Sequence, residues 1–204
     1  KGKHKLKPTA AGEILINYAR RAVALSNGVR QAIEDCQRQI HSLRLGITPT
    51  ASDIVVPQVL AAYCCDHSEI SIQIVRDSIK NIDNMLAFYE LDFAIVDGLI
   101  RRDGFSSMLL GTDYLGLVVS PRHPFARRMS VRLDEIQQEN MVMRPRGAET
   151  RRMFESYVAS NGYLPRDFHV SMELDSVSNI KEIVMADLGI SVLSHNVCLD
   201  ELKR

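Results

Sequence analysis

Four short stretches of this chain set hydroxyls and guanidinium groups directly ahead of helical patterns: ITPTAS (47–52), RDS (76–78), RPRGAET (144–150) and DSVS (175–178). Thr48, Thr50 and Ser52 precede one helix, Ser78 a second, Thr150 a third and Ser176 a fourth. Such residues have two uses. A hydroxyl can cap its own helix by accepting from an orphan N–H, worth about 1 kcal/mol, and that reading alone suffices for Ser78 and Ser176. Several together, at the positive ends of helix dipoles, can instead hold an anion. Arg144 and Arg146 add fork-shaped donors suited to a carboxylate, whereas Arg76, at a strand end, reads more simply as a solvated charge.

Other chemistries find less support. His4, His41, His67, His123, His169 and His195 are scattered without zinc-ligand spacing, so no metal is expected. Cys64 and Cys65 lie in an apolar helical stretch, face different sides of it and have no cationic neighbour in sequence, which predicts buried, inert thiols. That His195 and Cys198 sit three apart and Cys64 and Cys65 are adjacent is the thin basis for a thiol catalyst or redox sensor. There is no glycine-rich phosphate loop and no G-x-S-x-G elbow. The expectation is a protein that is not an enzyme and carries no cofactor.

The elements that must position these residues alternate. Strands are predicted at LRLGI (43–47), ISIQIV (70–75) and DFAIVDG (92–98), with helices at 53–67 and 78–90 between them, a β-α-β-α-β run implying a parallel sheet. Pro57 falls in the first turn of its predicted helix, where a missing N–H is harmless. Two more strands, SMLLG (107–111) and LGLVVS (115–120), lead to SPRHP (120–124), whose prolines mark a crossover. The pattern then repeats: a short helix at 131–138, a strand at 140–144, a helix at 149–161, a strand at 168–174, a helix at 176–189 ending at Gly189, and a strand at 190–194. No return of the chain to the first half is evident before Arg204, which suggests an incomplete C-terminus.

Ahead of this α/β body, 9–43 contains no proline, and Leu15, Tyr18, Ala22, Leu25, Val29 and Ala32 recur in steps of three and four. That spacing makes an apolar seam on a long helix, capped by Thr9 and supported by Glu13. A helix of this kind needs a partner, either a second copy or the rest of its own chain.

The 204 residues are 46% hydrophobic, and 25 basic side chains balance 25 acidic ones. The chain as a whole therefore lacks the cationic field that holds nucleic acid. Any DNA contact must be local, and the basic start with Lys3, Lys5 and Lys7 is the candidate for touching phosphate. Four cysteines suggest no disulfide framework, and no apolar run approaches the roughly 20 residues that span a bilayer. A cytoplasmic protein without membrane contact is expected.

In order along the chain, KLKPTAAGEILINYARR, LRLGITPTASDIVVPQVLAAY, ELDFAIVDG, SPRHPFA, RPRGAETRRMFE and ELDSVSNIKEIVMADLGISVLSH resemble LysR-type bacterial transcriptional regulators. Each fragment is weak alone, but their order and spacing cover nearly the whole chain. The resemblance implies a wing remnant and linker or dimerisation helix over 1–43, an effector-binding lobe over 44–120 and a second over 121–204. The fold would be α/β, two-lobed and periplasmic-binding-protein-like. The base-reading helices would be missing, so DNA would be bound in the full-length protein only. The family places the first, third and fourth junctions around a cleft for a small effector, often an organic anion. That extends the candidate contacts from Thr48, Thr50, Ser78, Arg144, Arg146, Thr150 and Ser176 to Pro49, Gly147 and Val177. Pro49 and Arg146 depart from residues common in relatives at those places and bear on which ligand fits. A homodimer or homotetramer follows from the seam. The rival reading is a two-lobed solute-binding protein, which has no use for the helix.

Overall fold

The computed structural model describes residues 7–100, 102 and 104–202; Lys3 and Lys5 lie outside the described residues. Thr9 begins the first helix, its Oγ1 accepting from Gly12 N at 3.1 Å, and α1 runs Ala10–Arg38. It stops short of the expected end near Leu43, with Gln39 in the left-handed region, because the following residues are taken by a strand, β1 (His41–Ile47). Asp35 locks that junction. Its carboxylate accepts from Gln31 Nε2 at 2.8 Å, from Ser42 N at 2.8 Å and from the Ser42 hydroxyl at 2.9 Å. These bonds, Gln31's foremost, hold its pKa below the ordinary carboxylate value. Ala24 is buried, but the seam residues Leu15, Tyr18, Ala22, Leu25, Val29 and Ala32 all stand in water.

The chain divides into two units. The first takes Lys1–Thr48 and Val55–Arg102, the second Pro49–Ile54 and Asp103–Arg204. In the first, β2 (Ile70–Arg76) and β3 (Phe93–Ile95) flank β1 in a parallel sheet of order β2-β1-β3, as the alternating pattern predicts. Leu45 and Ile47 of β1 are wholly buried. Gly46 lets α4 (Ile79–Ala87) settle on the sheet, since a Cβ there would come within 2.5 Å of Leu91 Cδ1 and 3.1 Å of Ile82 Cγ2.

Two expectations fail here. The helix after β1 starts at Pro49, not at Asp53, because proline suits a first helical position. It runs as α2 (Pro49–Val55), a π-helical turn Val56–Leu60, and α3 (Ala61–Asp66). Pro57 is therefore interior, where its missing N–H and its ring disrupt the regular ladder, and the backbone widens into the π turn. Also, 107–111 forms no strand: Met108, Leu109 and Leu110 are exposed and the segment is irregular. Strand β4 is Leu115–Val118 alone.

The second unit is organised by β5 (Met141–Met143), every residue of which is buried. Because successive side chains of a strand point to opposite faces, Met141 and Met143 enter one core and Val142 another. Phe154 and Val158 of α6 (Glu149–Ser160) and Phe168 complete the first core. Val177, Ile180 and Val184 of α7 (Val177–Met185) complete the second, with Ile54 of α2 packed against it. Strand β6 (Val170–Glu173) pairs parallel to β5, and β7 (Ser191–Ser194) pairs antiparallel to β4. A bridge between Met141 and Ile190 joins the two pairs. A helix α5 (Leu133–Ile136) precedes β5, and α8 (Leu199–Leu202) follows β7. SPRHP, the expected crossover, falls inside this unit, since β4 takes its partner from the last strand.

Helix α7 ends at Met185, before the Gly189 at which the sequence predicts its stop. Gly189 serves packing instead. A Cβ on it would lie 2.7 Å from Asn140 O, the atom that accepts from Ile190 N at 2.8 Å. Gly189→Ala is expected to destabilise the protein by about 1–3 kcal/mol, read as a lower urea midpoint with an unchanged slope.

Candidate functional site

Arg144 follows β5 at its carboxyl end, and Asp175 lies just beyond the carboxyl end of β6; the register Met143 to Glu173 brings the two together. The Arg144 side chain is 2% exposed, and its Nη2 donates to Asp175 Oδ1 at 2.9 Å. Its Nε and Nη1 are buried and have no hydrogen-bond partner among the described residues. An ionised group taken out of water costs several kcal/mol unless its donors are satisfied, so this guanidinium is left demanding acceptors. Arg151, also buried, steadies the loop: its Nη1 donates to Arg144 O at 3.4 Å while its Nε donates to Glu155 at 2.6 Å.

The turn from Pro145 to Ala148, closed by Ala148 N donating to Pro145 O at 2.8 Å, carries the chain from β5 into α6. Arg146 and Gly147 sit on it, exposed. Ala148 gives α6 no side-chain cap. Thr150, in the first turn, is 5% exposed and its Oγ1 is buried without a hydrogen-bond partner among the described residues. The carboxyl end of β5 thus holds both a buried cation and a buried hydroxyl with unused bonding capacity, next to a helix start that favours negative charge.

Other expected residues divide by unit. Pro49 and Thr50 belong to the second unit with Arg144, Arg146, Gly147, Thr150, Ser176 and Val177, while Thr48 and Ser78 belong to the first. Thr48 is 2% exposed and already engaged, its Oγ1 accepting from Asp97 N at 3.2 Å across the ends of β1 and β3. Ser78 caps α4, accepting from Asn81 N, and Ser176 caps α7, accepting from Asn179 N. Val177 is a core residue. Sequence reasoning missed Asp175, Arg151 and Asp97. Asp175 carried one usable signal, an acid directly before the cap of a helix that follows a strand. The first unit has a groove of about 450 Å³ along α1, lined by Ile16, Val23, Arg20 and Glu90 among others, and it contains none of the expected effector residues.

Parallel strands with helices on both faces, behind a long helix with an uncovered apolar stripe, define a periplasmic-binding-protein-like α/β protein. The chain belongs to the LysR substrate binding domain family, which matches residues 37–204. A probable RuBisCO transcriptional regulator of Chlorokybus atmophyticus is 25% identical over all of this chain, which spans 66% of that relative's length. Among solved structures, the Synechocystis PCC6803 CcmR regulatory domain in complex with 2-PG is 22% identical, with a TM-score of 0.68 over 78% of this chain and 74% of that one. The effector binding domain of QuiR in complex with shikimate is 20% identical, with a TM-score of 0.65 over 79% and 77%.

The thiols differ in burial. Cys65 is exposed and Cys64 half-buried, contrary to the expected burial, because α3 contributes no residue to a core. Cys198 is buried. Desolvation, with Glu201 and Asp113 adding to it and Lys181 opposing, pushes its pKa up to about 11. The His195 ring stacks on Tyr114 at 4.6 Å, and His195 meets Cys198 through the backbone, its carbonyl accepting from Cys198 N at 3.0 Å. No metal-binding cluster occurs among the described residues. At pH 8 native iodoacetamide labelling is expected to modify the exposed Cys65 while Cys198, buried and held protonated, stays largely unlabelled until the protein is unfolded; peptide mass spectrometry over time reads the two rates.

Proposed function

We propose that this chain is the ligand-sensing and oligomerisation part of a LysR-type transcriptional regulator, taking a small organic anion at Arg144. The observation that carries the reading is the buried guanidinium with two unpartnered nitrogens. Family membership supports it, as do similar domains solved with shikimate and 2-PG, both of them acids. A carboxylate or phosphate at the carboxyl end of β5 supplies acceptors to Nε and Nη1 and lies beside the Thr150 hydroxyl and the start of α6. Pro49, Thr50, Arg146, Gly147, Ser176 and Val177 remain the further contacts proposed in the same unit. Thr48 and Ser78 keep that role only through hydroxyls that already accept one bond each.

The regulator's output follows from differential affinity. An effector that favours one of two arrangements by about 1–3 kcal/mol shifts DNA-bound populations accordingly. α1 supplies the connection, since Asp35 ties its end to β1, and its exposed stripe is the surface for a second copy. DNA is read by heads outside this chain, with Lys7 and its basic neighbours at most meeting phosphate. The reading places the protein in the cytoplasm; no helix among the described residues is long and apolar enough to cross a membrane. The rival solute-binding protein leaves the α1 stripe without a purpose.

Calorimetric titration with 2-phosphoglycolate and with shikimate tests the site. Arg144→Gln is expected to weaken whichever acid binds by at least about tenfold, the worth of a charge-assisted bond, while Arg144→Lys retains part of the affinity. Equal affinity in wild type and Arg144→Gln would exclude Arg144 as the anchor. For the seam, Leu25→Glu combined with Val29→Glu is expected to turn a dimer or tetramer into a monomer by sedimentation equilibrium, with α/β content by circular dichroism preserved.

A further inference from the structure

The Arg144 to Asp175 contact differs from the two-bond arginine to carboxylate pairs among the described residues. Arg102 grips Asp83 with Nε and Nη2, both at 2.8 Å. Arg128 grips Glu135 with Nη1 at 2.7 Å and Nη2 at 2.9 Å. Arg144 is buried and, like the buried Arg151 with Glu155, reaches its carboxylate by a single bond, but that bond runs from Nη2 to Oδ1 of an acid whose side chain is 73% exposed, against 27% for Glu155. A buried cation paired with a carboxylate still standing in water is an incomplete pair: the acid has lost little hydration and loses little on leaving. The backbone under it is fixed, because Leu174 N donates to Met143 O at 2.9 Å and Ser176 caps α7. Release of Arg144 therefore needs only a turn of the Asp175 side chain, not a movement of the strand.

We propose that Asp175 is a built-in competitor of the effector: its carboxylate occupies Arg144 in the free protein, yields Nη2 to an incoming acid group, and so sets the concentration at which the site responds. This rests on the reading of Arg144 as the anion site. The free protein keeps its buried cation partly neutralised, and an anion must outbid one exposed carboxylate rather than enter an empty cationic hole. An acid that also satisfies Nε and Nη1 does so, whereas a chloride ion, making fewer directed contacts, does not.

The test is a mutant cycle on the full chain, with 2-phosphoglycolate as calorimetric probe and inorganic sulfate as probe in thermal melts. Asp175→Asn is expected to tighten 2-phosphoglycolate roughly three- to tenfold, the competing carboxylate being removed. The same substitution placed in Arg144→Gln is expected to change nothing. Glu173→Gln, which removes a nearby exposed charge that does not touch Arg144, is expected to leave affinity within about twofold, as a screened surface charge should. Without anions Asp175→Asn melts below wild type, and sulfate restores it by a larger shift than wild type shows. If Asp175→Asn weakens or leaves binding unchanged while Arg144→Gln abolishes it, Asp175 is a support and the competitor is refuted, with the anion site intact. Equal tightening by Glu173→Gln also refutes it, since long-range charge then accounts for the effect. If Arg144→Gln alters neither 2-phosphoglycolate binding nor the sulfate shift, the anion site itself falls.

Discussion

A guanidinium withdrawn from water at the end of β5 is the constraint around which the second unit is arranged. Replacing a buried ion by an apolar side chain of similar size is commonly neutral or stabilising, so folding alone gives no reason to keep Arg144 there. What surrounds it is nevertheless built to hold it. Arg151 reaches back to the carbonyl of Arg144 and is itself anchored on Glu155, and the strand that delivers it is buried along its whole length. The cost of the cation is carried by two apolar cores, one on each face of β5, which are insensitive to the charge at its tip.

In α1 the mismatch with solvent is reversed. α1 exposes Leu15, Tyr18, Leu25 and Val29, each by more than half, so it places hydrocarbon in water where β5 places charge in a dry interior. Both are unfavourable for the isolated chain, and both would be relieved by binding: acceptors at Arg144, apolar surface at α1. Marginal stability leaves limited room for such features. They sit on different elements, one at a rigid strand end and one along a long helix.

The strands were legible in the sequence because short β-rich runs alternate with helical periods, and β1, β2, β5 and β7 fall where those runs are. Boundaries set by proline were less so: Pro49 opens α2 early and leaves Pro57 in an interior turn. SMLLG reads as a strand by composition, but a strand needs a partner edge, which composition does not supply. At the site, Arg144 and Thr150 were recognisable from residue type and place. Their burial was not, and neither was Asp175, whose pairing with Arg144 depends on the register between β5 and β6. Conversely, Thr48, Ser78 and Ser176 could be named but not assigned, since a hydroxyl before a helix looks the same whether it caps, cross-links or binds. The structure shows the first two uses directly.

The α1 to β1 junction joins the long helix to the sheet of the first unit. Most helix ends leave carbonyls to solvent and connect through loops that absorb rotation. Here the chain turns at Gln39 and enters β1 within two residues, and Asp35 from the last turns of α1 bonds both the backbone and the hydroxyl of Ser42. β1 is the central strand of its sheet, paired on both sides, so it cannot pivot without breaking a ladder. A helix fastened to such a strand turns with its sheet as one body, and any reorientation of that sheet reaches α1 undiminished. A flexible linker would lose the motion in loop entropy; the carboxylate of Asp35 is what makes the connection stiff.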